Sequence, residues 1–396
     1  METMEFQFTL SGEPVQGKKT ICGVVGSGNL EVIVEENSSS ETRFIIQTAI
    51  DNYQSVWKTV IDDFVHESQP AGLLFTLNDN GATPAVASLR LRQALEEFKG
   101  YPLEGDNYLE LDARQRIRAI FDKDSFVEWL ADEKQYSPHL AALNLPGEAD
   151  DGIVVGSACL NQKKVLVGAQ QKDFMGGAVG EIHGAKLTGL FKAAVNAQVA
   201  AVVLLIDSGG VRLHEANAGE IAISETIRAI FEARQKGIAT IGVICGKNGA
   251  FGGMGIISAC MDYLIINEIG RIGVSGPEVI EAVAGVETFD ALDRALVWRV
   301  YGGKTRYLEE VVQCYTSTDI ASIREALVSG LNKKVPLDLQ SIKQKHNLLK
   351  MRLQDTVGYQ EEGAYLQHIA PQYATTLFDM NEADFLSVAP IIRNKQ

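Results

Sequence analysis

The first hundred residues contain short apolar or alternating runs separated by turn residues. These runs predict strands at FQFTL 6–10, TICGVV 20–25, LEVIV 30–34, RFIIQT 43–48 and GLLFTL 72–77. Two other stretches repeat apolar residues at helical spacing, one from about Asn52 to His66 and one after Pro84. The order of strands, helix, strand and helix predicts a small α+β domain over residues 1–100.

The pattern of apolar and polar residues changes after residue 100. Residues 101–107, YPLEGDN, combine Pro, Gly and charge, as is typical of a linker. Beyond it we expect a helix of about twenty residues from near Asp112. Apolar runs then predict strands at 165–169, 200–206, 238–244 and 263–267, separated by helical segments near 184–198, 219–236 and 254–260. Strands that are apolar throughout and alternate with helices predict a parallel sheet in an α/β domain over residues 108–396.

Composition narrows the functional class. The chain of 396 residues is 46% hydrophobic and 22% charged, which indicates a folded globular protein. Its formal net charge of −15 disfavours nucleic acids and anionic lipids as partners. No apolar run approaches the roughly 18 residues of a membrane span, and no signal peptide begins the chain, so we expect a cytoplasmic protein. Five scattered cysteines without a C-x-x-C pair indicate reduced thiols.

A first candidate site is the turn Gly26-Ser27-Gly28-Asn29, which lies between two strand-like runs. Glycine accommodates the positive φ angles of a tight hairpin, so the Ser27 hydroxyl is expected at an exposed tip. From the residues alone, an ordinary hairpin turn is the more common explanation of such a segment.

A second candidate is a pair of glycine turns, each following an apolar strand. Asp207-Ser208-Gly209-Gly210 follows the run 200–206, and Gly252-Gly253 follows the run 238–244. A turn of this kind before a helix exposes backbone N–H groups that can bind an oxyanion or phosphate. A third glycine-rich run, 174–180, precedes another helix. Close packing of helix on strand also requires glycine, and that interpretation remains open.

Two histidines, His183 and His214, follow glycine runs and lie beside Glu181 and Glu215. A general acid or base at these positions could reach a site above the sheet. A role in packing or capping explains them as well. Motifs for a dinucleotide site, a P-loop, a serine-hydrolase elbow and a zinc protease are missing, so the sequence suggests no metal.

Longer motifs bring a family resemblance into view. CGVVGSGNLEVIVE at 22–35 and NDNGATPAVASLRLRQALEEF at 78–98 resemble the acyl-carrier (delta) subunit of biotin-independent malonate decarboxylase. DFMGGAVGEIHGAK at 173–186, DSGGVRLHEA at 207–216, FGGMG at 251–255 and GVSGPEVIEAV at 273–283 resemble its beta subunit. The resemblance implies a fusion of the two, with a carboxyltransferase domain of crotonase-like fold built from repeated ββα units.

The resemblance also implies a covalent cofactor. In the family, the serine of a G-S-G-D turn carries 2'-(5''-phosphoribosyl)-3'-dephospho-CoA, and Ser27 is the matching residue. This chain has Asn29 where the family usually has Asp, which removes a negative charge beside the attachment point. Asn retains the turn preference, so we expect attachment to persist.

The implied activity is decarboxylation of a malonyl thioester to an acetyl thioester through an enolate. Backbone N–H groups after Gly209 or Gly210, and those at Gly252 or Gly253, are the expected oxyanion donors. His183 and His214 are candidates for proton delivery. The implied partners are a gamma decarboxylase subunit, an alpha acyl-carrier transferase and the transferase that attaches the prosthetic group.

Two other functions stay open. The chain could be the carboxyltransferase beta subunit of a biotin-dependent acyl-CoA carboxylase. The four-Cys zinc ribbon and the Met-Lys biotin acceptor of such enzymes are missing, which counts against this function. It could also be a non-catalytic scaffold, although a scaffold has no need of three glycine turns.

Overall fold

The computed structural model describes residues 2–25, 28–37, 41–100, 107–131, 133, 136–197, 199–359 and 364–393. The chain divides into two compact units, residues 1–104 with 290–297 and residues 105–289 with 298–396. The predicted linker 101–107 falls almost entirely outside the described residues, so its boundaries remain a prediction.

The first unit is a five-stranded sheet with two helices. Its elements are β1 (Glu2–Phe8), β2 (Thr20–Gly23), β3 (Asn29–Glu36), β4 (Thr42–Thr48), α1 (Gln54–Ser68), β5 (Leu73–Asn80) and α2 (Pro84–Phe98). The strand order is β1-β4-β5-β3-β2, and only β4 and β5 run parallel. The predicted α+β carrier fold is confirmed, with β1 beginning four residues earlier than expected.

Alternation explains why these strands form. Leu30, Val32 and Val34 of β3 are fully buried, while the residues between them are partly exposed. A period of two places one apolar face on the core. Phe44 and Phe75 stack in this core with ring centroids 4.7 Å apart. The second helix begins at a Thr83 cap followed by Pro84, a pair that suits a helix start.

The second unit contains a seven-stranded sheet. Its strands are β6 (Val127–Trp129), β7 (Ile153–Leu160), β8 (Lys163–Gln170), β9 (Ala201–Leu205), β10 (Ala239–Ile244), β11 (Tyr263–Ile266) and β12 (Cys314–Tyr315). They lie in the order β12-β11-β10-β9-β8-β7-β6. From β8 to β12 neighbouring strands are parallel. At the other edge, β7 pairs antiparallel with both β8 and β6.

Helices follow the strands in alternation. Those from residue 113 onward are α3 (Ala113–Ile120), α4 (Pro138–Ala142), α5 (Glu181–Ala197), α6 (Asn217–Gln235), α7 (Gly252–Ala259), α8 (Pro277–Ala284), α9 (Arg294–Tyr301), α10 (Gly303–Leu308), α11 (Ile320–Gly330), α12 (Leu339–Thr356), α13 (Ala364–Ile369) and α14 (Glu382–Arg393). Short 3₁₀ turns occupy Met175–Gly177, Leu213–Glu215 and Leu377–Asp379.

The central strands are buried on both faces. In β9, Val202 and Leu204 belong to a core with α5 and α6, while Val203 and Leu205 belong to a second core with α3 and α11. Two covered faces require strands without polar positions, which confirms the parallel sheet predicted from the apolar runs.

The long helix expected from Asp112 is wrong. Helix α3 has eight residues, because the backbone turns extended at Phe121. The next residue, Asp122, accepts hydrogen bonds from the N–H groups of Asn161 and Gln162 in the β7–β8 turn. That side chain fixes the chain in a loop where helical periodicity alone predicts continuation.

No helix among the described ranges combines the length and the apolarity that crossing a bilayer requires.

Candidate active site

Loops at one edge of the large sheet form the candidate site. The segments after β8, β9, β10 and β11 all leave the carboxyl ends of strands, the edge at which open parallel sheets bind ligands. Single parallel bridges join these segments, pairing Val179 with Val211, Ser208 with Ala250, and Ala250 with Ile272. Each repeat is therefore a strand, a short bridged segment and a helix, which is the predicted ββα unit.

The first glycine turn leaves one backbone donor available. Gly209 donates its N–H to the Gly176 carbonyl at 2.9 Å, and Gly210 donates to the Ser208 hydroxyl at 3.2 Å. The next residue, Val211, has an N–H with no acceptor among the described residues. Gly210 has φ +130°, a backbone angle that side chains rarely adopt, so glycine is needed to set this donor in place.

The second glycine turn has the same property at the start of α7. Gly252 donates its N–H to the Val274 carbonyl at 2.9 Å, and Met254 donates to the Phe251 carbonyl at 3.1 Å. Between them, the N–H of Gly253 has no acceptor in the described parts of the chain. A free N–H in the first turn of a helix also lies at the positive end of the helix dipole, which favours an anionic ligand.

These two free donors are neighbours. A β-carbon built on Gly252 would lie 3.9 Å from the Val211 nitrogen, and one built on Gly253 would lie 2.7 Å from Val211 Cγ2. The structure therefore brings the two glycine turns close together. Among the described residues, the N–H groups of Val211 and Gly253 have no acceptor, whereas those of Gly209 and Gly252 do. Neighbouring N–H groups without acceptors can bind an anionic oxygen if both point to it.

A buried ion pair supports the turns from the core. The Arg116 guanidinium lies 2.8 Å from the Asp207 carboxylate, and both side chains are almost fully buried. The same carboxylate accepts the N–H of Asn248 at 2.6 Å, while the Asp207 N–H donates to the Gln170 side chain at 3.0 Å. The pair thus connects α3 to the loops after β8, β9 and β10.

A second buried network holds the loop after Gly210. Arg212 lies 2.7 Å from Asp151 and 3.1 Å from Glu215, and all three side chains are buried. Glu215 also accepts the N–H of Glu181 at the start of α5. Burial raises the pKa of Asp151, although the adjacent Arg212 opposes that shift.

The two predicted histidines occupy different environments. His183 is fully buried, and burial, followed by the charges of Arg212 and Lys186, holds its pKa well below the usual value. Gln170 accepts from Asp207 and donates to the Gly177 carbonyl, so its amide nitrogen faces His183 Nε2 at 3.3 Å. Because that Nε2 must accept, the ring is neutral with its proton on Nδ1. His214 is exposed in the 3₁₀ turn that follows the Gly209-Gly210 turn.

The predicted attachment residue, Ser27, lies outside the described residues. Its surroundings are defined on both sides. Val24 and Val25 are more than half exposed, and a β-carbon on Gly28 would meet nothing within 4 Å. Asn29 accepts a hydrogen bond from Arg90 Nε at 3.1 Å, so the amide retains a polar contact at the position where the family usually has Asp. Of the described residues next to Ser27, Gly28 therefore has no close neighbours on the side where a β-carbon would lie.

Two known families match successive parts of the chain. Residues 17–98 match the malonate decarboxylase delta subunit, and residues 110–332 match the carboxyl transferase domain. The malonate decarboxylase acyl carrier protein of Acinetobacter calcoaceticus is 42% identical over 101 residues, covering 25% of this chain and 99% of that protein.

Two other matches are longer than the carrier region. The malonyl-S-ACP:biotin-protein carboxyltransferase of Malonomonas rubra is 33% identical over 312 residues, or 72% of this chain and 96% of that protein. A chain in the crystal structure of a Pseudomonas malonate decarboxylase hetero-tetramer in complex with malonate is 33% identical. The match covers 62% of this chain and 90% of the Pseudomonas chain, with a TM-score of 0.59.

The sequence alone did not point to Arg116, which helps to hold the two glycine turns in place. Arg116 carries no motif, and its role depends on a contact with Asp207 that only the folded chain creates. The N–H of Val211, in contrast, is among those expected after Gly209 or Gly210, and so is the N–H of Gly253.

Proposed function

The chain belongs to the carboxyltransferase family and joins that domain to a carrier domain of the malonate decarboxylase type, and from this premise we propose that it decarboxylates malonyl thioesters carried on Ser27. The observation that carries the proposal is that the N–H groups of Val211 and Gly253, two neighbouring residues, have no acceptor among the described residues. Loss of CO2 from a malonyl thioester would place negative charge on the thioester oxygen, which such N–H groups can stabilise.

The residues present account for the difficult step. When the bond between the malonyl α-carbon and its carboxylate breaks, CO2 leaves and the electron pair moves onto the thioester as an enolate. Hydrogen bonds from Val211 and Gly253 stabilise the enolate oxygen more than the neutral carbonyl, which lowers the barrier. The enolate carbon then takes one proton to give the acetyl thioester.

His214 is the better placed of the two candidate proton donors, because it is exposed beside the first glycine turn. His183 is buried and neutral, so we assign it a positioning role through Gln170, which contacts both the 174–180 loop and Asp207. Water is the alternative proton source.

The cofactor assignment follows the carrier match. We infer that Ser27 bears 2'-(5''-phosphoribosyl)-3'-dephospho-CoA, which supplies the thiol that holds the acyl group. The open space at Gly28 and the exposed Val24 and Val25 fit a bulky attachment on this turn. Asn29, held by Arg90, keeps the turn's polar anchor without the carboxylate that the family usually has.

Partner chains follow from the same assignment. The matched Pseudomonas enzyme is a hetero-tetramer. We propose that this chain works with a gamma decarboxylase subunit, with an alpha acyl-carrier transferase that exchanges acetate for malonate, and with the transferase that attaches the arm. Decarboxylation is then expected only in the assembled complex.

A second function is favoured by one observation. The Malonomonas rubra relative is a biotin-protein carboxyltransferase. The same donor pair could stabilise the enolate while the carboxyl group passes to biotin, so that the carbon leaves on a biotinylated protein. Sensitivity of turnover to avidin separates the two activities.

The test uses the complex purified from cells growing on malonate. Ser27→Ala should abolish CO2 release from malonate, whereas Ser55→Ala, at an exposed position on α1, should retain it. Avidin should have no effect on the wild-type complex. Full turnover by Ser27→Ala would refute the carrier role, and loss of turnover with avidin would favour transfer to biotin.

A further inference from the structure

Helix α12 makes little packing contact with the rest of the protein. It spans Leu339–Thr356, eighteen residues, and none of them is buried. The match to the carboxyl transferase domain ends at residue 332, so α12 lies beyond the matched catalytic region. Helices in proteins gain most of their stability from packing an apolar face, and α12 has no buried residue with which to do so.

Four exposed apolar residues of α12 lie along a narrow stripe, whereas Leu348 and Met351 lie outside it. Leu339, Ile342, Leu349 and Leu353 are 67%, 54%, 52% and 66% exposed, and His346 completes the series. Successive members are three, four, three and four residues apart, the a and d spacing of a two-stranded coiled coil. At 1.5 Å per residue, the helix is about 27 Å long.

Basic residues border the stripe on both sides. Lys343 and Lys350 occupy the e positions and Lys345 a g position, and in the described parts of the chain none of the three has an ion-pair partner. Arg352, at the other g position, instead donates to the Glu309 carbonyl at 2.8 Å and pairs with Glu310. That contact anchors the helix with its stripe facing outward.

We propose that α12 pairs with a helix of another protein that has an apolar seam flanked by acidic residues. The charges exclude pairing with α12 of a second copy, because e and g positions would then place lysine against lysine. A membrane surface fits less well. The stripe is narrow, and it lacks the Trp and Phe residues that anchor interfacial helices. This inference is independent of the reaction proposed for the domain.

The experiment measures binding of designed peptides to the full-length protein by fluorescence anisotropy. One labelled peptide of three heptads has Leu at a and d and Glu at e and g, and a control peptide has Lys at e and g. The acidic peptide should bind and the basic peptide should not. The combined K343E, K345E and K350E changes should reverse that preference.

A double variant with Leu349→Gln and Leu353→Gln tests whether the apolar stripe binds the peptide. Both side chains are exposed, so the fold should be retained, while affinity for the acidic peptide should fall at least about tenfold. Three results would overturn the proposal: no binding of the acidic peptide, binding that survives both leucine changes, or tighter binding to phosphatidylglycerol vesicles that depends on the same leucines. Loss of self-association in the leucine variant would also contradict it.

Discussion

The Arg116 guanidinium and the Asp207 carboxylate meet at 2.8 Å in the core, at the base of both glycine turns. Asp207 accepts the Asn248 N–H and directly precedes the Ser208-Gly209-Gly210 segment. One buried carboxylate therefore fixes the loops after β9 and β10 relative to each other. The position of the Val211 and Gly253 donors therefore depends on the charge of Arg116, a residue that lies outside both turns.

Replacing Arg116 should therefore destabilise the protein strongly. Arg116→Met leaves the Asp207 charge buried without its partner, which costs about 3–5 kcal/mol in comparable cases. Denaturant unfolding of the two proteins measures the difference. Arg228→Met, which removes an exposed partner of Glu225, is the matched control and should change stability little. A loss in Arg116→Met no larger than in the control would show that the pair is not structural.

Gly253→Ala should impair turnover selectively. An added β-carbon would meet Ile223 and Val211 side-chain atoms at 2.7 Å, so it would displace both proposed donors. Loss of an oxyanion donor lowers the rate roughly 10² to 10³-fold. The measurement is kcat for malonyl-thioester decarboxylation by the assembled complex.

Gly189→Ala is the control for that change. Gly189 is exposed on α5, and a β-carbon there would meet nothing within 4 Å. This variant should keep full activity and gain slight stability, since alanine favours a helix over glycine. Equal activity of Gly253→Ala and wild type would remove the donor assignment and favour a scaffold.

The buried His183 predicts a pH dependence of stability. Its folded pKa lies well below the usual value, whereas the unfolded chain takes up a proton near pH 6.5. Stability should consequently fall as pH drops below about 6.5, by up to roughly 1.4 kcal/mol per pH unit for one proton. His183→Leu should flatten this dependence, measured as unfolding free energy between pH 5 and 7.

The other histidines provide the comparison, because all five are exposed. His66→Gln, on the surface of α1, should keep the wild-type pH dependence. An unchanged slope in His183→Leu would mean that the ring takes up its proton at the same pH in the folded and unfolded states, which contradicts the lowered pKa.

His214 predicts an effect on catalysis without an effect on stability. If it protonates the enolate carbon, His214→Ala should lower kcat about 10² to 10⁴-fold and change the pH–rate profile. Its exposure means that the unfolding free energy should stay near that of the wild type. A pH–rate profile identical to the wild type would assign proton delivery to water.

The sheet was predictable because burial on both faces demands apolar strands, and the runs at 200–206 and 238–244 meet that demand. Both glycine turns were predictable for a related reason, since close approach of two loops excludes side chains. The strands β6 and β12 were missed, because two or three residues are too few to show a period. The eight-residue strand β7 was missed as well, since Gly156 and Ser157 interrupt its apolar run. The length of α3 was missed because Asp122 ends the helix through contacts with a distant turn.

The most direct test of the carrier and decarboxylase account is the intact mass of the protein from cells growing on malonate, with peptide mapping of residues 22–35. The account predicts a mass increment on Ser27 that matches 2'-(5''-phosphoribosyl)-3'-dephospho-CoA, part of it acetylated. An unmodified Ser27 under these conditions would contradict the carrier role and leave the carboxyltransferase domain to act on other thioesters.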